Sequence, residues 1–131
     1  MSVVSHLING ELVESQRTLD VTNPSTGKVV RQVADASAAD VERAIAAAQA
    51  AFPAWRDTPP AKRAQVMFRF KQLLEEHADR LVQLVSEEHG KTVEDAMGEL
   101  KRGIENVEYA CGVPELLKGE YSHNVGPGID A

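Results

Sequence analysis

One helix must end and another must begin between Glu87 and Glu108, and this junction constrains the fold more than any other part of the sequence. Gly90 lies where the end of a helix needs a residue that tolerates left-handed backbone. Thr92 then acts as an N-cap whose hydroxyl accepts a backbone N–H three residues on, where Asp95 completes a capping box. The sequence therefore predicts a helix that ends near Gly90 and a second helix that starts after Thr92.

The helix after Thr92 has an apolar stripe and a mixed opposite face. At about 100° per residue, six apolar side chains share one narrow stripe: Val93, Met97, Leu100, Ile104, Val107 and Cys111. The opposite face holds Asp95, Gly98, Arg102, Asn106 and Tyr109. A solvated face is one interpretation. A docking face is the other, because Gly98 and Gly103 each cost about 1 kcal/mol relative to alanine in a helix and Tyr109 is a large ring to leave in water.

Length and charge exclude several classes of function. The 131 residues suffice for one domain with one core. The net charge of −6 and the lack of a basic cluster argue against a nucleic-acid partner. No apolar run approaches the ~20 residues of a membrane span, so no membrane partner is expected. The first ten residues lack the pattern of a secretory signal, which gives the expectation of a cytoplasmic protein.

The single cysteine, Cys111, excludes an internal disulfide and a cysteine-based zinc site. Cys111 lies on the apolar stripe of the last long helix. We interpret it as a small buried hydrophobic residue, because a reactive thiolate needs an electropositive and accessible setting.

The beginning of the sequence predicts β-ribbons. Asn9-Gly10 separates two short apolar pairs, which is the strongest short signal for a hairpin. The stretch Asn23–Gly27 has the proline and glycine of a second turn. A two-stranded ribbon is marginal in water by itself, so these ribbons need a surface on which to lie.

At Ser37 the hydrophobic period changes to that of a helix. Ser37 caps this first helix with Asp40 as the acidic partner of a capping box. Pro53 is expected to end it, because a proline ring clashes with the preceding turn. The predicted fold is α+β, with β-hairpins over residues 6–33, three amphipathic helices over residues 37–118, and a loop or strand over residues 119–131 that leads out.

The second helix is expected to be the longest. Thr58-Pro59-Pro60 opens it, since proline is well placed in a first turn. The helix is expected to run to His89, a length of roughly 45 Å. Its apolar stripe comprises Val66, Phe70, Leu73, Leu74, His77, Leu81, Leu84 and Val85. His77 lies on this stripe and is interpreted as a partly buried histidine with its hydrogen bonds satisfied. No second ligand stands at metal spacing on the same helix, so no metal site is predicted.

A search for catalytic motifs finds none of the usual constellations. The sequence has no G-x-G-x-x-G after a strand, no phosphate-binding P-loop and no nucleophile elbow. The four histidines are scattered, and the carboxylates stand at spacings typical of solvated helix surfaces. The residues alone thus predict a mostly helical α+β segment with no visible active site.

Four sequence blocks, in this order, resemble the opening of an aldehyde dehydrogenase. They are NPSTGKVV (Asn23–Val30), AFPAW (Ala51–Trp55), KRAQVMFRFKQLLEEH (Lys62–His77) and EEHGKT (Glu87–Thr92). Within that superfamily, residues Gly98–Tyr121 resemble the CoA-acylating methylmalonate-semialdehyde dehydrogenases, and RGIENVE at residues 102–108 is the specific part. The similarity covers nearly the whole chain, from about His6 onward.

The resemblance implies that residues 1–131 are the N-terminal segment of the NAD-binding domain of such an enzyme, as part of the α/β fold of that superfamily. Members are several times longer, and their nicotinamide-binding strands and catalytic cysteine lie further along. No catalytic, cofactor-binding or metal-binding residue is therefore expected here, and the segment alone should be inactive and bind no cofactor. One functional residue is carried over: Arg102, which in the family helps to hold the carboxylate of the substrate.

The resemblance also implies cofactors and partners for the complete enzyme. With NAD and coenzyme A, as in valine catabolism, such an enzyme converts methylmalonate or malonate semialdehyde to propionyl-CoA or acetyl-CoA and releases CO2. The partners of this segment would be the remainder of the dehydrogenase chain and further copies of the enzyme in a homo-oligomer, a tetramer.

Two other hypotheses remain open. The chain could be a free-standing helical module that binds a protein partner through the face of Gly98, Arg102 and Tyr109. It could also be a small protein that handles acyl groups or coenzyme A, but it has no loop suited to cradling phosphates. The gene sequence beyond the codon for Ala131 separates the dehydrogenase segment from the free-standing module.

Overall fold

The computed structural model describes residues 2–120 and 127–130, and in these residues short strands are followed by helices. The strands are β1 (Val3–Val4), β2 (His6–Ile8), β3 (Glu11–Val13), β4 (Thr18–Asn23) and β5 (Lys28–Ala34). The helices are α1 (Ala38–Asp57), α2 (Pro60–Glu76), α3 (Ala78–His89), α4 (Val93–Cys111) and α5 (Val113–Leu116). The predicted α+β class, with hairpins ahead of amphipathic helices, is confirmed.

Both predicted hairpins are present. Strands β2 and β3 pair antiparallel around Asn9 and Gly10, whose φ angles of 53° and 80° are those of a type I′ turn. Strands β4 and β5 pair antiparallel across the second turn, where Gly27 has a φ of 67°. Strand β1 adds a pairing that the sequence did not predict, since it runs parallel to β5 and gives a sheet in the order β1-β5-β4.

Helix α1 begins as predicted but ends later than predicted. Ser37 and Asp40 form the complete capping box. The expectation that Pro53 ends the helix is wrong, because α1 continues through Pro53 to Asp57. A proline leaves the carbonyl four residues earlier, here that of Gln49, without its N–H partner. Both Pro53 and Gln49 are exposed, so solvent can satisfy that carbonyl and the cost of the missing bond is small.

The long second helix of the prediction is divided in two by His77. The φ and ψ of His77 are −108° and 14°, which ends α2 and starts α3 on a new axis. His77 is exposed, so the expectation of a partly buried histidine on a continuous stripe is wrong. Val66 and Phe70, also on the predicted stripe, are more than two-fifths exposed. Instead, Ala64 of α2 and Val82 of α3 are the buried positions, at 3% and 1% exposure.

The core lies where α4 packs against α2 and α3. Its buried residues are Ala64, Val82, Ala96 and Cys111. The β4–β5 ribbon lies against the C-terminal end of α3, as the prediction of a supporting surface required. There Arg31 forms ion pairs with Glu87 and, at 3.3 Å, with Glu88. Beyond α5, residues 121–126 and 131 of the predicted exit segment lie outside the described residues, and Ile129 forms a β-bridge.

Candidate functional site

Arg102 lies in the middle of α4 on the side away from the core. Its side chain is exposed, whereas Ala96 and Cys111 on the other side of the helix are buried. A Cβ added at Gly98 would lie 3.9 Å from Nη1 of Arg102, so the guanidinium lies close to this glycine one turn earlier in the helix. Within residues 2–120 and 127–130, no carboxylate forms an ion pair with Arg102.

The face of α4 that holds Arg102 and Tyr109 is open in this structure. Tyr109 is 71% exposed, and a Cβ added at Gly103 would meet nothing within 4 Å. Asn106 donates a hydrogen bond of 2.8 Å to the backbone carbonyl of Arg102. Arg102 and Tyr109 are therefore both accessible on the same face of α4.

The start of α4 is fixed by the two residues that the sequence singled out. Gly90 caps α3 with a φ of 81°, and the hydroxyl of Thr92 accepts the backbone N–H of Asp95 at 3.1 Å. The capping box is formed only in part. The carboxylate of Asp95 accepts a hydrogen bond of 2.9 Å from the Thr92 hydroxyl. Among the described residues, the Thr92 backbone N–H does not donate to that carboxylate. These caps set the register of α4 and so the position of Arg102.

A pair of charged residues beside Arg102 was missed in the sequence analysis. Nζ of Lys91 forms an ion pair with Oε2 of Glu99. The pKa of the Glu99 carboxyl lies below its ordinary value, first because of the hydrogen bond from Lys91 and then because of the positive charge of Lys91, with smaller contributions from His89 and Arg102. Lys91 precedes the helix and stands eight positions from Glu99, so the helical spacing rule gave no signal for this pair.

Cys111 occupies the buried position that was predicted for it. Its Sγ donates a hydrogen bond of 3.4 Å to the carbonyl of Val107 and is enclosed where α4 meets α2. The thiol is therefore turned away from the face of Arg102. Among the described residues, no three histidine, cysteine or carboxylate side chains are grouped to hold a metal ion.

The connection from β5 to α1 is the one place in the described chain where a strand leads directly into a long helix, as at a dinucleotide phosphate site. In the common dinucleotide-binding folds, such a strand leads through a glycine-rich loop to a free helix N-terminus. Strand β5 does lead to α1, but the connection Asp35–Ser37 contains no glycine. The N-terminus of α1 is already occupied by the carboxylate of Asp40, which accepts from the backbone N–H of Ser37 at 3.0 Å. A second negative group would be repelled there.

Two helices expose apolar faces that nothing in the described chain covers. On α1 no residue is buried, and Val41, Ile45, Phe52 and Trp55 are exposed. On α2 a shallow depression of about 560 Å³ is lined mainly by Val66, Met67, Phe70 and Leu73. Exposed apolar areas of this kind are typical of surfaces that contact other molecules, among them other polypeptide. None of the helices in the described ranges is both long and apolar enough to span a membrane.

A β-ribbon followed by helices with exposed apolar faces is typical of a segment that packs against further polypeptide. Comparison with known proteins identifies the family of this chain. The aldehyde dehydrogenase family matches residues 12–129, and the chain belongs to this family. The resemblance found in the sequence is thereby confirmed.

The similar proteins are several times longer than this chain. A malonate-semialdehyde dehydrogenase of Pseudomonas aeruginosa is 65% identical over the whole chain, which spans 27% of its length. The crystal structure of a methylmalonate-semialdehyde dehydrogenase from Oceanimonas doudoroffii superposes with a TM-score of 0.89 at 65% identity, over 99% of this chain and 27% of that one. A protein of Sinorhizobium meliloti assigned to the same activity and solved with NAD gives a TM-score of 0.87 at 42% identity, over 99% of this chain and 27% of that one.

Proposed function

We propose that residues 1–131 are the N-terminal segment of the NAD-binding domain of a CoA-acylating malonate- or methylmalonate-semialdehyde dehydrogenase. The observation that carries the proposal is the 65% identity to a malonate-semialdehyde dehydrogenase over the full length of the chain. The complete enzyme would use NAD and coenzyme A to give acetyl-CoA or propionyl-CoA with release of CO2. The proposal includes that the segment by itself is inactive: it spans 27% of the length of the malonate-semialdehyde dehydrogenase that it resembles, and its one cysteine, Cys111, is buried.

The contribution of this segment is a contact to the substrate. Arg102 holds the carboxylate that distinguishes a semialdehyde acid from a simple aldehyde. A guanidinium presents a planar fork that matches the two oxygens of a carboxylate. Three observations support this role: Arg102 is exposed, forms no ion pair with the described carboxylates, and lies against a glycine that leaves room for a ligand.

The role of Arg102 is tested in the full-length enzyme by steady-state kinetics with two aldehydes. A charge-assisted contact contributes about 1.5–3 kcal/mol, so we expect Arg102→Ala to raise KM for malonate semialdehyde by roughly 10- to 150-fold. Propanal has no carboxylate, and its KM should not change. Arg102→Lys should recover little, because an ammonium lacks the fork. Equal losses with both aldehydes would show that Arg102 acts through the structure.

The partners and location of the complete enzyme are part of the same proposal. The exposed faces of α1 and α2 support contacts with the remainder of the dehydrogenase chain. We propose that the complete enzyme is a homotetramer, and light scattering of the full-length enzyme tests this by its molar mass. We also propose a cytoplasmic enzyme of valine catabolism, and cell fractionation with antibody detection tests the location.

The same exposed faces favour one alternative, a free-standing helical module that binds a protein partner. The gene sequence beyond the codon for Ala131 separates the two proposals. An in-frame continuation with a glycine-rich NAD site and a cysteine motif supports the dehydrogenase segment. A stop codon at that point supports the interaction module.

A further inference from the structure

We propose that Lys91 is a positioning residue that holds the carboxylate of Glu99 and thereby keeps the guanidinium of Arg102 free to receive the substrate. This inference rests on the proposed function, since it assumes that Arg102 binds the substrate carboxylate. In this inference, the pairing of Lys91 with Glu99 prevents Glu99 from forming an ion pair with Arg102 on the same helix.

The geometry around Lys91 suits this role. Lys91 lies between the end of α3 and the start of α4, and its carbonyl accepts a hydrogen bond of 2.8 Å from the hydroxyl of Ser86. Its side chain is 19% exposed and reaches along the first turns of α4 to pair with Glu99. The lysine is thus anchored by its backbone, and its ammonium is directed to one carboxylate.

Without Lys91, Glu99 would have another cation within reach. Glu99 precedes Arg102 by three residues, and acidic and basic side chains at this spacing pair on the surface of a helix. The guanidinium already lies back over Gly98, beside the turn that carries Glu99. In this structure Glu99 pairs with Lys91, while no described carboxylate pairs with Arg102.

An ion pair between Glu99 and Arg102 would weaken substrate binding in two ways. It would occupy donors of the guanidinium that a substrate carboxylate needs. It would also place a carboxylate beside the substrate's own negative charge, and like charges repel. Lys91 removes both effects, because it holds Glu99 and neutralises its charge.

The test compares variants of the full-length enzyme with malonate semialdehyde and with propanal. Lys91→Met removes the ammonium and keeps an apolar stem of similar length. We expect its KM for malonate semialdehyde to rise about two- to fivefold, the range of an exposed ion pair, with kcat and the kinetics with propanal unchanged. Adding Glu99→Gln to Lys91→Met should restore KM, because a neutral amide neither binds the guanidinium as an ion nor repels the substrate.

A matched control is Lys118→Met. Lys118 also pairs with a glutamate, at 2.8 Å from Glu115, so the substitution removes the same charge from a similar pair outside α4. Its KM for malonate semialdehyde should stay at the wild-type value. An equal rise in Lys118→Met would mean that KM follows the net charge of the enzyme, and the inference would be wrong.

The outcomes also separate this inference from the proposed function. If Arg102→Ala affects the two aldehydes equally, the assigned role of Arg102 fails and the inference fails with it. If Arg102→Ala is selective for malonate semialdehyde but Lys91→Met has no effect, only the inference fails. It also fails alone if Lys91→Met impairs propanal equally or if Glu99→Gln does not restore KM.

Discussion

Gly90 meets two constraints at once, and a single methyl group tests both. Its φ of 81° is left-handed, and an added Cβ would lie 2.8 Å from Cγ of Pro24 in the turn between β4 and β5. We expect Gly90→Ala to destabilise the protein by about 1–2 kcal/mol through the backbone alone, and by more because the Pro24 ring must shift. Differential scanning fluorimetry of the full-length enzyme should show a lower melting temperature.

Gly10 provides the control for that substitution. Its φ of 80° nearly equals that of Gly90, but an added Cβ would meet nothing within 4 Å. Gly10→Ala should therefore show the backbone cost without the contact to Pro24. If the melting temperature fell equally in Gly90→Ala and Gly10→Ala, the close approach of Gly90 to the β4–β5 turn would contribute nothing to stability.

Residues with local roles could be predicted from sequence, and residues with distant partners could not. Gly90, Thr92 and the Asn9-Gly10 turn were predicted because neighbours within four positions decide their conformations. The pair of Lys91 and Glu99 was missed because a loop residue and a helix residue have no fixed spacing. The exposure of Arg102 follows from the helical pattern, whereas its role came from the family resemblance and remains a proposal.

At the scale of elements, the N-terminus of α1 gives a prediction about pH. The pKa of Asp40 lies below the ordinary value of 3.8, chiefly because its carboxylate accepts hydrogen bonds from the side chain and backbone of Ser37. A depressed pKa means that the folded helix favours the ionised form. The stabilisation is therefore fully present above pH 3.8 and is lost as the pH falls through the lower, folded-state pKa.

A peptide of residues 36–57 suffices to test this cap, because all of its hydrogen bonds are local. Carboxyl carbon shifts measured by NMR should give Asp40 a pKa below 3.8, and the Ser37→Ala peptide should return it toward that value. Helicity followed by circular dichroism should fall at acid pH more in the wild-type peptide than in Asp40→Asn. An unchanged Asp40 pKa in Ser37→Ala would contradict the assigned cause.

The boundaries of helices and strands are the features that the sequence pattern predicted least well. Pro53 did not end α1, because its cost depends on exposure, which a pattern does not contain. His77 divided a continuous apolar period that had no glycine or proline at the break. Strand β1 consists of two residues that pair with β5 almost thirty positions away, and a two-residue strand has no readable period. The hydrophobic pattern of α2 identified apolar residues but not which of them this segment covers.

The molecule as a whole exposes more surface than a compact monomer of the same mass. Its accessible surface is 9849 Å², whereas a compact monomer of 14.2 kDa would have about 6,800 Å². In the described chain, Val82 is the one large side chain that is less than 2% exposed. Small domains already bury a marginal fraction of their surface. We therefore expect that a segment with this excess needs further contacts to reach ordinary stability.

The isolated chain should therefore fail as a stable monomer and as a catalyst. We expect residues 1–131 alone to bind the dye ANS, to melt without a sharp transition by circular dichroism, and to give no NAD reduction with malonate semialdehyde. Co-expression with the remaining part of the full-length enzyme should suppress ANS binding, because that part would cover α1 and the depression on α2. A chain that melts cooperatively, runs as a compact monomer in size-exclusion chromatography and excludes ANS would show that the exposed faces need no cover. Measurable turnover by residues 1–131 alone would contradict the proposal that this segment is inactive, since turnover would require a nucleophile and a cofactor site among these residues.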